Sequence, residues 1–151
     1  MSSISLVKFD RTFLDLSSQW LSDPQLQALI AAGPLPAEES RLKWFESLPD
    51  RKDYLIWGTL FEGKPIGACG LKNITDHDAE YWGYIGYKTL WGKGIGGGYI
   101  IAIQNIAKEI GLNSLYLKVL KFNTRAIKMY LKYGFKIDDE DTNWFYMSLL
   151  L

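Results

Sequence analysis

Apolar and polar residues alternate through Ile4-Ser5-Leu6-Val7-Lys8-Phe9, the period of a half-buried strand. From Thr12 to Leu21 the spacing turns helical, and Ser22-Asp23-Pro24 stops it. A short helix is expected over Gln25 to Ala31, then an irregular loop at Ala31-Ala32-Gly33-Pro34-Leu35-Pro36. Pro36-Ala37-Glu38-Glu39 opens a helix that runs to about Leu48, with Leu42 and Phe45 on one side, before Pro49-Asp50 ends it. Asp53 to Phe61 and Pro65 to Leu71 flank the turn Glu62-Gly63-Lys64 as a hairpin, and Glu80 to Tyr87 adds a strand after a polar loop. Gly92 to Gly98 is a glycine-rich turn. Beyond it Ile100, Ile103, Ala107 and Ile110 share one face of a helix from about Ile95 to Ile110, which Gly111 closes. The chain finishes with a strand (Leu115 to Leu120), a helix (Asn123 to Tyr133) and, after Gly134-Phe135, a last strand at Trp144 to Leu149. No repeat or linker interrupts this order. It predicts one domain over residues 1–151, of α+β class with a single central sheet, not a doubly wound parallel one.

Composition narrows the function classes. The 151 residues hold 17 Lys and Arg against 17 Asp and Glu, so formal net charge is zero. No run of like charge marks a nucleic-acid or membrane-surface partner. No stretch approaches the ~20 apolar residues of a membrane span. Met1-Ser2-Ser3-Ile4 lacks the cationic start of a secretory signal, so a cytoplasmic location is expected. Cys69 is the single cysteine and lies in an apolar strand, where it reads as a small buried hydrophobe in preference to a nucleophile. No metal is expected.

The chemistry concentrates at Trp91-Gly92-Lys93-Gly94-Ile95-Gly96-Gly97-Gly98. Glycines between a strand and a helix let several N–H groups converge, and the helix N-terminus adds partial positive charge, which together suit a phosphate. The Walker pattern is absent. Gly92, Gly94 and Gly97 satisfy GxGxxG, but the next strand ends in Lys121 where a dinucleotide site wants an acid. The stretch Trp91 to Gly96 instead resembles the coenzyme A pyrophosphate turn Q/R-x-x-G-x-G/A of the GNAT N-acetyltransferases, with Trp91 where Gln or Arg is usual. Asn123-Thr124-Arg125-Ala126-Ile127-Lys128-Met129-Tyr130, followed by Gly134-Phe135, resembles the same family's N-x-x-A-x-x-x-Y-x-x-x-G-F helix. Helical spacing lets Asn123, Ala126 and Tyr130 line one side.

That resemblance implies a GNAT fold, with a central mixed, mostly antiparallel sheet flanked by helices, and acetyl-CoA as co-substrate. It assigns coenzyme contacts to Trp91, Gly92, Lys93, Gly94, Ile95, Gly96, Gly97, Asn123, Ala126 and Tyr130. It also implies a backbone oxyanion donor at a bulge around Tyr84-Ile85-Gly86. Transfer is expected to be direct, in a ternary complex. Tyr130 would protonate the departing thiolate, since a phenol ordinarily stays protonated at neutral pH. Glu80 resembles the position of the family's catalytic carboxylate; His77, the one histidine, or no dedicated base are the alternatives. The acceptor would enter against the region from Trp20 through Trp44. Gly70-Leu71-Lys72-Asn73-Ile74-Thr75 and Asp138 to Tyr146 resemble the amino-sugar-nucleotide N-acetyltransferases of the pseudaminic-acid pathway, which implies a nucleotide-sugar acceptor. Asn-Ile-Thr also resembles the ribosomal-protein N-acetyltransferases, so a protein N-terminus is the second acceptor class. An acyl-CoA sensor without turnover is the non-enzymatic alternative, and a homodimer through exposed strands is a further implication of the resemblance.

Overall fold

The computed structural model describes residues 3–151; Met1 and Ser2, which begin the segment read for a leader, lie outside the described residues. One seven-stranded sheet runs in the order β1-β2-β3-β4-β5-β7-β6. Its strands are β1 (Ile4–Lys8), β2 (Tyr54–Phe61), β3 (Lys64–Lys72), β4 (Asp78–Ile85), β5 (Ser114–Leu120), β6 (Lys136–Glu140) and β7 (Trp144–Leu150). Every neighbouring pair is antiparallel except β4 with β5. The helices are α1 (Arg11–Trp20), α2 (Pro24–Ile30), α3 (Glu38–Ser47), α4 (Ile95–Glu109) and α5 (Thr124–Lys132). Among the described residues no helix is long and apolar enough to cross a membrane, and no three or more His, Cys, Asp or Glu side chains cluster as metal ligands would.

Alternation along the strands builds two cores. Leu71, Ala79, Tyr81, Leu115, Leu117 and Met147 pack with Ile100, Ile103 and Ala107 of α4 and Ile127 of α5 on one face. Phe9, Phe13, Leu14, Trp20 and Leu26 bury Ala68 and Tyr84 on the other, under α1 to α3. Each fully buried Leu or Ile contributes ~1.5–3 kcal/mol, so these faces carry the fold. Local signals place the helices. The Asp10 carboxylate caps α1 by accepting the Phe13 N–H at 3.2 Å, and Asp23 caps α2 through Gln25 with Pro24 in the first turn.

Two features depart from the pattern read in the chain. β6 was not expected, because Lys136-Ile137-Asp138-Asp139-Glu140 is exposed at every position and shows no apolar face. Charges of this kind protect a sheet edge from further pairing. The glycines also divide. Gly92 and Gly94 have φ of 75° and 78° and form the turn, whereas Gly96, Gly97 and Gly98 lie inside the first turn of α4.

Candidate active site

β4 and β5 pair only through Asp78 with Ser114, Ala79 with Leu115 and Glu80 with Tyr116. Beyond those pairs the strands separate, because α4 connects them on one face and α2 approaches from the other. The gap widens into a cleft of about 580 Å³ lined by β4, β5, the glycine turn, α2 and α5. A sheet interrupted in this way leaves main-chain groups without strand partners. The Gly86 N–H donates to the Ile66 carbonyl at 2.7 Å, which fixes the phase of the β3–β4 ladder. Alternation then turns the N–H groups of Tyr81, Gly83 and Ile85 away from β3; that of Tyr81 still meets β5 at the Glu80–Tyr116 pair, and those of Gly83 and Ile85 face the gap.

The expected bulge at Tyr84-Ile85-Gly86 is corrected by this ladder. Its register is unbroken from Lys72 opposite Glu80 to Gly67 opposite Ile85. Tyr84 and Gly86 therefore direct their N–H groups to β3, and of the three only Ile85 can offer one to the cleft. The Tyr84 side chain lines the cleft, while Gly86 does not, its Cα backing onto the Trp20 indole. The Ile85 carbonyl is satisfied by the Trp91 indole N–H at 2.8 Å. Trp91 thus pins the glycine turn to the end of β4.

Gly92, Gly94, Ile95 and Gly96 line the cleft at the start of α4. No side chain caps this helix, so the Ile95 and Gly96 N–H groups stay open to an anion. Lys93 and Gly97 do not line the cleft. Gly97 instead makes room for the Tyr133 ring, as Gly96 does for the Met129 sulfur, so these two glycines let α4 and α5 approach. Arg125 was not singled out in the chain. Its guanidinium stands against Gly92, where a Cβ would lie 3.7 Å from the guanidinium carbon, and it joins Lys128 and Lys132 on the cleft wall. Its position inside the Asn123–Tyr130 motif was the available signal.

Asn123 caps α5, accepting the Ala126 N–H at 3.4 Å, and donates to the Leu29 carbonyl of α2 at 3.3 Å. It therefore ties α2 to α5 across one end of the cleft. Ala126 and Tyr130 line the wall beyond it. Tyr130 packs edge-on against Tyr81 and at a tilt against Phe135, and burial pushes its phenol up to about 12. Among the described residues nothing hydrogen-bonds its hydroxyl. Glu80 also lines the cleft, at the last β4–β5 pair, with 15% of its side chain exposed. Asn73 donates to Oε1 at 3.2 Å and the Lys72 ammonium lies 3.7 Å from Oε2. By alternation Glu80 shares the face of Trp82 and Tyr84, opposite to Tyr81 and Tyr130. His77 is exposed in the preceding loop, outside the cleft, with its carbonyl accepting the Asn113 N–H at 2.7 Å. Cys69 is buried, and burial raises its thiol well above the usual range, as a core residue requires.

The acetyltransferase (GNAT) family model matches residues 16–135. The chain belongs to this family. Acetyltransferase PseH of Campylobacter jejuni is 26% identical over 147 residues, covering 92% of this chain and 91% of that protein. An uncharacterized protein of Methanocaldococcus jannaschii is 29% identical over 140 residues, covering 88% of this chain. This GNAT chain spans only 28% of the length of that archaeal relative. Among solved structures, a domain from the same archaeon has a TM-score of 0.86 at 25% identity, covering 100% of both chains. Spermidine N-acetyltransferase of Vibrio cholerae, solved with CoA and spermine, has a TM-score of 0.86 at 18% identity, covering 98% and 95% of the two chains. The GNAT fold and the family's co-substrate, acetyl-CoA, agree with the open helix N-terminus, the positive-φ glycines and the cationic wall of α5.

Proposed function

We propose that this GNAT domain acts as a single unit that transfers acetyl from acetyl-CoA to a primary amine, and that the amine belongs to a nucleotide-linked amino sugar. The observation that carries the reaction is the placement of Tyr130 and Glu80 on opposite faces of one gap in the sheet. Acetyl-CoA supplies an activated thioester, whose carbonyl carbon gains the amine nitrogen as its C–S bond breaks. The glycine turn, the α4 N-terminus and Arg125 hold the phosphates. The cleft-facing N–H groups of β4 pair with the amides of the pantetheine arm, and one of them donates to the carbonyl oxygen as charge grows there. Glu80 accepts the amine proton, directly or through water. Tyr130 donates its hydroxyl proton to the leaving sulfur and is restored from solvent.

The acceptor class is supported by charge. Arg125, Lys128 and Lys132 stand on the α5 wall that serves the coenzyme; on the other face of the cleft Lys72 is paired with Glu80, and Lys118 is left without a carboxylate partner among the described residues. An unpaired cation on that face suits an acceptor that carries phosphate and opposes a polyamine. The similarity to PseH is in keeping with an amino-sugar substrate. Thiol release from acetyl-CoA, measured against a panel of UDP-linked 4-amino sugars, N-terminal peptides and polyamines, tests the proposal. Release with an amino-sugar nucleotide is expected. Release with peptides alone would move the acceptor to protein N-termini, and acetyl-CoA binding without any turnover would leave an acyl-CoA sensor.

A further inference from the structure

β5 alternates strictly. Leu115, Leu117 and Val119 enter the larger core, so Tyr116, Lys118 and Leu120 face the other side. There α1 to α3 cover β2 to β4, but no β5 or β7 residue joins the core beneath those helices. Apart from the approach of α2 to β5, no helix packs this face of the sheet over β5 and β7 into the core beneath α1 to α3, and it continues directly from the acceptor side of the cleft. Lys118 is exposed on it and lines the cleft, with its ammonium 4.7 Å from the centroid of the Trp144 ring. The other acceptor-side lysine, Lys72, is balanced by Glu80. Lys118 has no carboxylate partner among the described residues.

Trp144 is held from behind. Asp141 Oδ1 accepts the Asn143 N–H at 3.0 Å and the Trp144 N–H at 2.9 Å, and Oδ2 accepts the Tyr146 hydroxyl at 2.7 Å. A turn whose backbone is held in this way seats the Trp144 indole beside Lys118, and the cation over its face presents one directed positive charge at the mouth of the cleft. We propose that Lys118 is the specificity residue for the diphosphate of a nucleoside-diphosphate acceptor, and that Trp144 is the positioning residue that holds it there. This rests on the amino-sugar-nucleotide reading above and adds the group that recognises the non-reacting end.

The test uses UDP as probe, titrated calorimetrically into the full chain saturated with acetyl-CoA, so that the coenzyme's own phosphate site is filled. Wild type is expected to bind UDP. Lys118→Gln should weaken UDP binding by at least about tenfold, the size of a charge-assisted hydrogen bond, and leave acetyl-CoA affinity unchanged. Lys118→Arg should retain most of the affinity. Trp144→Leu should reproduce part of the loss and Trp144→Phe should restore it, a pattern that a merely structural role for Trp144 would not give. Equal UDP binding by wild type and Lys118→Gln overturns the role of Lys118 while leaving the acceptor class intact. Absence of UDP binding in an acetyl-CoA-competent wild type overturns both the subsite and the nucleotide-sugar reading, and coenzyme binding with thiol release judges the acetyltransferase itself.

Discussion

Tyr130 combines two properties that are hard to obtain together. It is packed between Tyr81 and Phe135, yet its hydroxyl is left without a protein partner at the cleft wall. Packing without a hydrogen bond penalises the phenolate, which is why burial moves the group up to about 12. The neutral, proton-bearing form therefore persists across any ordinary assay pH. The stability that its burial contributes is fully present below pH ~10, where the unfolded phenol ionises, and is lost as pH rises through about 12. Tyr130→Phe should lower kcat by ~10²-fold or more while acetyl-CoA affinity stays within about twofold, because the ring and its contacts remain. The wild-type rate at saturation should show no alkaline fall before pH ~10. A Phe variant with wild-type kcat would remove Tyr130 as proton donor. Tyr130 was legible in the chain because its spacing from Asn123 and Ala126 is helical. The bridge that Asn123 makes from α5 to α2 was not, since its partner Leu29 is distant in sequence and no local pattern encodes that hydrogen bond.

At the scale of elements, the glycine-rich segment shows what a string of residues hides. Gly92, Gly94, Gly96 and Gly97 look equivalent in sequence, but two are conformational and two are steric. Gly94 has φ of 78° and no atom within 4 Å of an added Cβ, so Gly94→Ala should cost ~1–2 kcal/mol of backbone strain with little clash. The new methyl would stand where the turn faces its anion, so acetyl-CoA affinity should fall. Gly97 has an ordinary helical backbone but occupies the place where the Tyr133 ring crosses α4. Gly97→Val should therefore destabilise the fold by ~1–3 kcal/mol through forced separation of α4 from α5. Thermal unfolding together with acetyl-CoA titration distinguishes the pair: Gly97→Val should lose mainly Tm, Gly94→Ala mainly affinity. If both variants lost Tm alone, the turn would be a packing device and no anion site. β6 escaped the sequence for a related reason. Its residues satisfy an edge, whose demand for charge erases the apolar alternation by which strands are read.

Across the whole molecule, the cleft is the consequence of one parallel pair in an otherwise antiparallel sheet. The α+β class with one central sheet followed from the succession of elements, its mixed, mostly antiparallel character from the GNAT resemblance, and the family motifs marked both walls of the gap. The separation of β4 from β5 could not be read, because it arises between strands joined only through α4 and depends on how far two cores hold them apart. That separation exposes an alternating set of donors. Gly83 and Ile85 aim N–H groups into the gap, while Tyr81 meets β5 at the Glu80–Tyr116 pair and Trp82 and Tyr84 bond to β3. An extended amide-bearing arm lying along β4 would complete the ladder as an added strand does. Residue-resolved hydrogen exchange should then show slowing at Gly83 and Ile85 when acetyl-CoA is added, with Tyr81, Trp82 and Tyr84 already slow and little changed. Slowing spread evenly over odd and even positions would report general rigidification. Slowing confined to the glycine turn would mean that the coenzyme is held by its phosphates alone, with the oxyanion donor to be sought outside β4.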